Sequence, residues 1–177
     1  LLHGQKLFVV AQKNPVEETP GFDSIYKIGT VVNIKQMNKL PDNVVRVLVE
    51  AQEKAEIISF DERGGYFEGE IVARESKVEP LTPNQDQAFL RELKEVLKKF
   101  DQNATDISIN GLETLLEIDN LNELMAQTLL RVKVDYKLKQ DFLENDDPVE
   151  QFAIIVAFLE AEQEIGEIRT EIVDKVK

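Results

Sequence analysis

Covalent chemistry needs a nucleophile with a base beside it, and this sequence offers little of either. Its 177 residues include no Cys and a single His, at position 3. Disulfides, thiolate metal sites and His-rich metal clusters are therefore excluded, and no plausible Ser–His or Cys–His pair is left. The serines are Ser24, Ser59, Ser76 and Ser108, none of them in a G-x-S-x-G elbow. Gly64-Gly65 is the only Gly pair, and no G-x-x-x-x-G-K-[ST] phosphate loop is present, so the pair reads as a strand connection. Carboxylates gather at Glu53/Glu56, Asp61-Glu62 and Glu144/Asp146-Asp147. None has the Gly-centred spacing of a calcium loop, so solvated surface and helix capping are the preferred readings. What remains is binding chemistry. Met37, Leu40 and Pro41 fall at the tip of a predicted hairpin. Apolar residues at an exposed tip mark a binding patch; the alternative, that they pack under a neighbouring loop, stays open at this point.

The elements that would position this tip are β-strands. Runs at 30–37 and 44–49 are rich in β-branched residues at period two. They flank Leu40-Pro41-Asp42-Asn43, in which Pro41 presets φ and Asp42 and Asn43 tolerate turn conformations. Val32, Ile34 and Gln36 are expected on one face of the first run, and Val45, Val47 and Val49 on one face of the second. Further strands are expected at 7–11, as a continuous apolar run buried on both faces, at 55–60, and at 66–73, with Gly69 marking a bulge. Residues 1–6 read as the end of a helix, 13–23 as a loop, and 75–83 as a polar linker with two prolines.

Beyond the linker the apolar period becomes helical. Thr82-Pro83 and Asp147-Pro148 each read as an N-cap followed by proline at the first helical position. Between them lie apolar stripes at Phe89–Phe100, Leu112–Leu116, Leu121–Leu129 and 138–144, with a connector at 103–108. The last helix runs through Val176, its stripe narrowing after Glu160 to Ile165, Ile168, Ile172 and Val176 between charged neighbours. The predicted fold is α+β: a β-rich subdomain at 1–80 and an α-helical bundle at 81–177 with a long C-terminal helix.

The net charge is −13, and it is uneven: residues 1–84 hold ten Lys/Arg against thirteen Asp/Glu, residues 85–177 eleven against twenty-one. Such a surface repels phosphate backbones, so no nucleic-acid partner is expected. No apolar run approaches the ~20 residues that span a bilayer, no signal peptide is visible, and no membrane partner is expected. The absence of Cys suits a reducing cytosol. The chain opens on Leu rather than Met and reads as part of a longer protein.

One stretch has a more specific character. The order G-T-V-x-x-I-x-Q-M-x-K-L-P-D-x-x-x-R-V-L-V-E is carried by Gly29-Thr30-Val31, Ile34, Gln36-Met37, Lys39-Leu40-Pro41-Asp42 and Arg46-Val47-Leu48-Val49-Glu50. It resembles the central hairpin of the amino-terminal domain of the ATP-dependent protease Lon. The phrase L-F-x-V-A-Q-K-[DN] fits Leu7-Phe8 and Val10-Ala11-Gln12-Lys13-Asn14, and Leu138-Lys139-Gln140 with Phe142-Leu143-Glu144 is similar to the family's K-Q-x-L-L-E. Asn43 and Ala51 stand where the family usually has Gly, and the family's opening P-L-x-P-L-R strand is missing from the 1–80 subdomain.

The resemblance implies a PUA-like antiparallel β-barrel before the bundle. It implies a non-catalytic part that recognises unfolded or degron-bearing protein substrates and supports a homo-hexamer with other Lon subunits. It places the protein in the cytoplasm, with no cofactor in this fragment. ATP and Mg, and the Ser–Lys peptidase of an ATP-dependent serine endopeptidase, belong to later domains of the parent. Two rival readings are an RNA-binding PUA-like module, disfavoured by the acidic balance, and a ligand- or degron-reading adaptor with an aromatic cage. The second is disfavoured by the absence of Trp and by only three dispersed Tyr.

Overall fold

The computed structural model describes residues 5–102, 109 and 111–176. The chain divides into two compact units, Leu1–Ser76 and Lys77–Lys177, a few residues before the expected division at 80/81. Among the described residues, the first unit is built on one antiparallel sheet of four strands in sequence order: β1 (Lys6–Val9), β2 (Ile28–Lys39), β3 (Val45–Arg63) and β4 (Tyr66–Ala73). Its buried residues, Ile25, Ile28, Val31, Val32, Ile34, Ala55 and Ile57, gather at the start of β2 and the middle of β3. β1 lies on β2 in the register Leu7↔Val32 and Phe8↔Val31. The approach is close enough to require Gly29: a Cβ there would fall on the Val9 carbonyl and within 2.7 Å of the Phe8 ring. β3 and β4 are joined by Gly64-Gly65, both with positive φ (60° and 87°), which is the backbone a two-residue hairpin turn demands.

Several expectations need correction. β1 is not buried on both faces: Leu7 and Val9 are exposed, because among the described residues β1 is an edge strand with a neighbour on one side only. A continuous apolar run does not by itself separate an edge from a centre. Lys6 belongs to β1 rather than to a helix end, while residues 1–4 of that predicted helix end lie outside the described residues. The runs at 44–49 and 55–60 are parts of one 19-residue strand. Ala51 takes no positive φ; the change of direction is absorbed by a register shift that leaves Gln52 as an extra residue. The irregularity near β4 is at Ile58 of β3, not at Gly69, which pairs with Phe60.

Among the described residues, the regular elements of the second unit are all helices: α1 (Pro83–Gln102), α2 (Leu112–Leu116), α3 (Leu121–Arg131), α4 (Tyr136–Glu144) and α5 (Pro148–Val176). The predicted connector at 103–108 lies outside the described residues. Thr82 and Gln85 form a reciprocal capping box. The Gln85 N–H donates to Thr82 Oγ1 (3.3 Å), and the Thr82 N–H donates to Gln85 Oε1 (3.0 Å). Asp147 Oδ1 accepts from the Val149 N–H at 2.9 Å and caps α5 without a reciprocal bond, its own N–H donating to Asn145 Oδ1 (3.1 Å). Leu93, Leu97 and Phe100 of α1, Leu124 and Met125 of α3, and Ile155 and Leu159 of α5 are buried together. Past Leu159 the apolar stripe is exposed at Ile165, Ile168, Ile172 and Val176, while Gly166 is still buried.

Two outcomes follow. Replacing Gly29 with Ala drives a methyl group into β1 and costs about 1–3 kcal/mol, read as a lower urea midpoint of the sheet signal. In hydrogen exchange, α5 amides after Gly166 exchange much faster than those around Val156; equal protection along the helix means that its end is covered.

Candidate functional site

The hairpin tip is built by backbone torsion. Asp42 (φ 63°) and Asn43 (φ 59°) are the only described non-Gly residues with positive φ. Positive φ at both central positions characterises the type I′ turn, whose twist matches the flanking strands, and Asp and Asn tolerate it best after Gly. The Leu40 N–H donates to the Val44 carbonyl at 2.8 Å and closes the tip.

From this turn β2 and β3 run back as a two-stranded ribbon. The β1 ladder ends at Asn33 of β2, with one further bond from the Ile34 N–H to the Gln5 carbonyl (2.9 Å), and the β4 ladder ends at Ala55 of β3, with one further bond from the Arg74 N–H to the Lys54 carbonyl (3.0 Å). Among the described residues, 35–39 of β2 therefore lie against 45–48 of β3 alone, and 49–53 of β3 have only Val31–Ile34 of β2 beside them; all of 35–39 and 45–53 are exposed. The ribbon is nevertheless apolar. Met37 (41%), Val45, Val47 (38%) and Val49 are exposed on one face, and Val44 and Leu48 on the other.

A register shift between Ile34 and Gln36 leaves Lys35 as an extra residue in β2. Across it, Ile34 pairs with Val49 and Met37 with Val47. Met37 thus continues the face of the buried Ile34, a place that simple alternation assigns to Gln36. Lys35, freed from the alternation, reaches Glu50 on the opposite strand (2.7 Å). The hydrogen bond and charge of that ammonium hold the Glu50 carboxyl below the usual carboxylate range.

The three residues singled out in the sequence stand at the end of this ribbon. Met37, Leu40 and Pro41 are exposed, and none is buried under a loop. Sequence reading missed their extension to Val44, Val45, Val47, Leu48 and Val49. A run of β-branched residues reads as a half-buried strand, and only the reach of β1 and β4 shows that no described strand covers it.

The same unit holds an open trough of about 750 Å³ lined by Phe8, Val31, Ile57, Phe60, Phe67 and Ile71 among others. Phe60 and Phe67 meet there edge to face at 5.2 Å. Among the described residues no group of His, Asp and Glu is arranged to hold a metal, and no helix is long and apolar enough to cross a membrane. The arrangement offers apolar surface and unpaired backbone, which is the chemistry of peptide contact.

The turn and ion pair are separately testable. Asn43→Gly preserves the ribbon. Asn43→Val places a β-branched residue at positive φ, costs roughly 1–2 kcal/mol, and weakens cross-strand contacts between Met37 and Val47 in NMR spectra. Lys35→Ala raises the Glu50 pKa towards its ordinary value, measured by carboxyl titration.

The chain has informative relatives. Residues 1–161 match the family model of the ATP-dependent protease La (LON) substrate-binding domain. It is 27% identical to Lon protease of Lachnoclostridium phytofermentans over 177 residues, covering 100% of this chain and 22% of that protein. Against Lon protease of Fervidobacterium nodosum the identity is 35% over 175 residues, 98% of this chain and 21% of the relative. The chain therefore spans about a fifth of the length of these relatives. The N-terminal domain of Mycobacterium avium complex Lon protease has a similar fold: TM-score 0.59 at 13% identity, covering 90% of this chain and 92% of that one. A Lon N-terminal domain protein from Xanthomonas campestris gives 0.51 at 16%, covering 89% and 91%.

Proposed function

Since the chain belongs to the family of Lon substrate-binding domains, we propose that it captures unfolded or degron-bearing proteins for a Lon-like ATP-dependent serine protease. We assign the capture to the β2–β3 ribbon. The observation that carries this reading is the ribbon's apolar surface, exposed on both faces and reaching the tip at Met37, Leu40 and Pro41. A ribbon that gains nothing from its own core gains from contact with apolar chain, and folded proteins expose little of that.

In the parent, ATP with Mg and a Ser–Lys peptidase act in later domains, and this part contributes binding. Support of a homo-hexamer belongs to the same proposal. Weak sites repeated around a ring gain avidity through effective concentration without being tight singly. A cytoplasmic location belongs to it as well.

The test uses reduced, carbamidomethylated lysozyme, a permanently unfolded basic chain, titrated against the protein. Disulfide-intact lysozyme and poly(U) serve as controls. Replacing Met37 and Leu40 together by Ser weakens binding of the unfolded chain by about tenfold, the loss of part of two apolar contacts. Both controls stay unbound. Unchanged affinity in the double variant removes the tip from the site, and tight, salt-sensitive poly(U) binding transfers the function to RNA.

A further inference from the structure

The ribbon has edges as well as faces. Backbone groups alternate along a strand, so residues turned towards one neighbour are followed by residues turned away. Observed bonds set this phase in β3. The Val44 carbonyl accepts from Leu40 (2.8 Å), so Val44, Arg46 and Leu48 turn towards β2, and Val45, Val47 and Val49 turn towards the opposite edge. Farther along, the Lys54 carbonyl accepts from the Arg74 N–H (3.0 Å) on that opposite edge, and the Ile57 N–H donates to the Lys27 carbonyl (2.9 Å) on the β2 side. The phase has changed by one residue between the two regions, and Gln52, the extra residue of β3, accounts for it.

β4 occupies the outer edge of β3 from Ala55 to Arg63, and the Arg74–Lys54 bond is its last rung. Among the described residues, no strand pairs with the continuation of that edge at Val45, Val47 and Val49. The same three residues carry exposed apolar side chains on the Met37 face. Backbone need and apolar surface therefore coincide at one edge.

The other edge of the ribbon is guarded. Lys35 and Lys39 stand on β2, and the irregularity at Lys35 breaks its regular spacing. Both are devices that discourage strand addition. On β3 the charges Arg46 and Glu50 lie on the face away from Val45, Val47 and Val49, and no irregularity interrupts the strand until Gln52, whose side-chain amide lies over the carbonyls of Glu50 and Ala51 (3.5 and 3.4 Å) and ends the open stretch.

We propose that the free edge of β3 at Val45, Val47 and Val49 receives an extended, apolar, non-acidic polypeptide segment as an added strand, in line with β4. Alternating donors and acceptors on one line are matched by an extended peptide backbone. The net charge of −13 disfavours an acidic segment. Folded proteins are rejected because their strands are already paired. The proposal rests on the reading that the ribbon meets protein substrates, and adds how they are held.

The probe is a synthetic ten-residue peptide alternating Val and Thr, with Lys at both ends, used beside unfolded lysozyme. On binding, the amides of Val45, Val47 and Val49 gain protection from hydrogen exchange, while those of Arg46 and Leu48, already turned to β2, change little. Val47→Pro removes one outward donor and keeps an apolar side chain; it weakens peptide binding about tenfold, while Val47→Thr, which keeps the donor, stays within about threefold. Binding that leaves the three valine amides unprotected overturns strand addition and leaves the ribbon-face reading standing. Failure of the unsubstituted protein to bind either probe overturns both. If Val47→Pro disrupts the ribbon, as cross-strand NMR contacts report, the exchange pattern of the unsubstituted protein decides alone.

Discussion

The β-unit depends on a mismatch of length. β3 has 19 residues, β2 has 12, β4 has 8 and β1 has 4. At about 3.3 Å per residue β3 spans roughly 60 Å, far more than its partners can cover. Its middle lies where β2 and β4 overlap, and there Ala55 and Ile57 are buried. Its first part has β2 alone for company. The sheet thus contains a core and a ribbon made from the same two strands. The ribbon inherits its register from the core, since an antiparallel pair fixed at Gly29↔Ala55 and closed by the turn at Asp42-Asn43 has little freedom between. An isolated two-stranded hairpin is marginal in water. Here one end is anchored, which lets apolar residues stand exposed without a core of their own.

What the sequence made legible follows the range of the interactions. The caps at Thr82 and Asp147, the turn at Asp42-Asn43 and the helical stripes all depend on residues within a few positions of each other, and the structure has them where the pattern indicates. The edge position of β1, the continuity of β3 and the irregularities at Lys35, Gln52 and Ile58 depend on how far a neighbouring strand reaches. No local pattern carries that information. The candidate site shows both sides of this division. The place of Met37, Leu40 and Pro41 at an exposed tip is readable because a hairpin tip is a local feature. The valines of β3 are not, because a strand half-buried by a neighbour and a strand left bare have the same alternation of residues.

The placement of Met37 illustrates how one extra residue changes a surface. Without the irregularity at Lys35, Gln36 would follow Ile34 on its face, and Met37 would lie on the opposite one. With it, Ile34, Met37, Val47 and Val49 are joined by direct pairing into one apolar strip. The strip begins in the buried core and ends near the tip. Lys35 itself is put to use in the pair with Glu50, which ties the two strands where the regular ladder is interrupted. Surface pairs of this kind contribute little to stability, so its effect is better understood as positional.

An exposed apolar ribbon with an open edge is also a hazard, since two copies can pair through it as readily as a copy and a substrate. The distribution of charge bears on this. The chain is strongly acidic overall, at −13, and copies of a molecule with large net charge of one sign repel each other at long range. A basic or neutral segment meets no such barrier. The ribbon itself is nearly balanced, with Lys35, Lys39 and Arg46 set against Asp42, Glu50 and Glu53, so repulsion acts on the approach of whole molecules rather than at the contact. On the proposed reading of the ribbon as a binding surface, the acid excess acts beyond solubility: it lets that surface remain uncovered by separating the cost of self-encounter from the cost of binding.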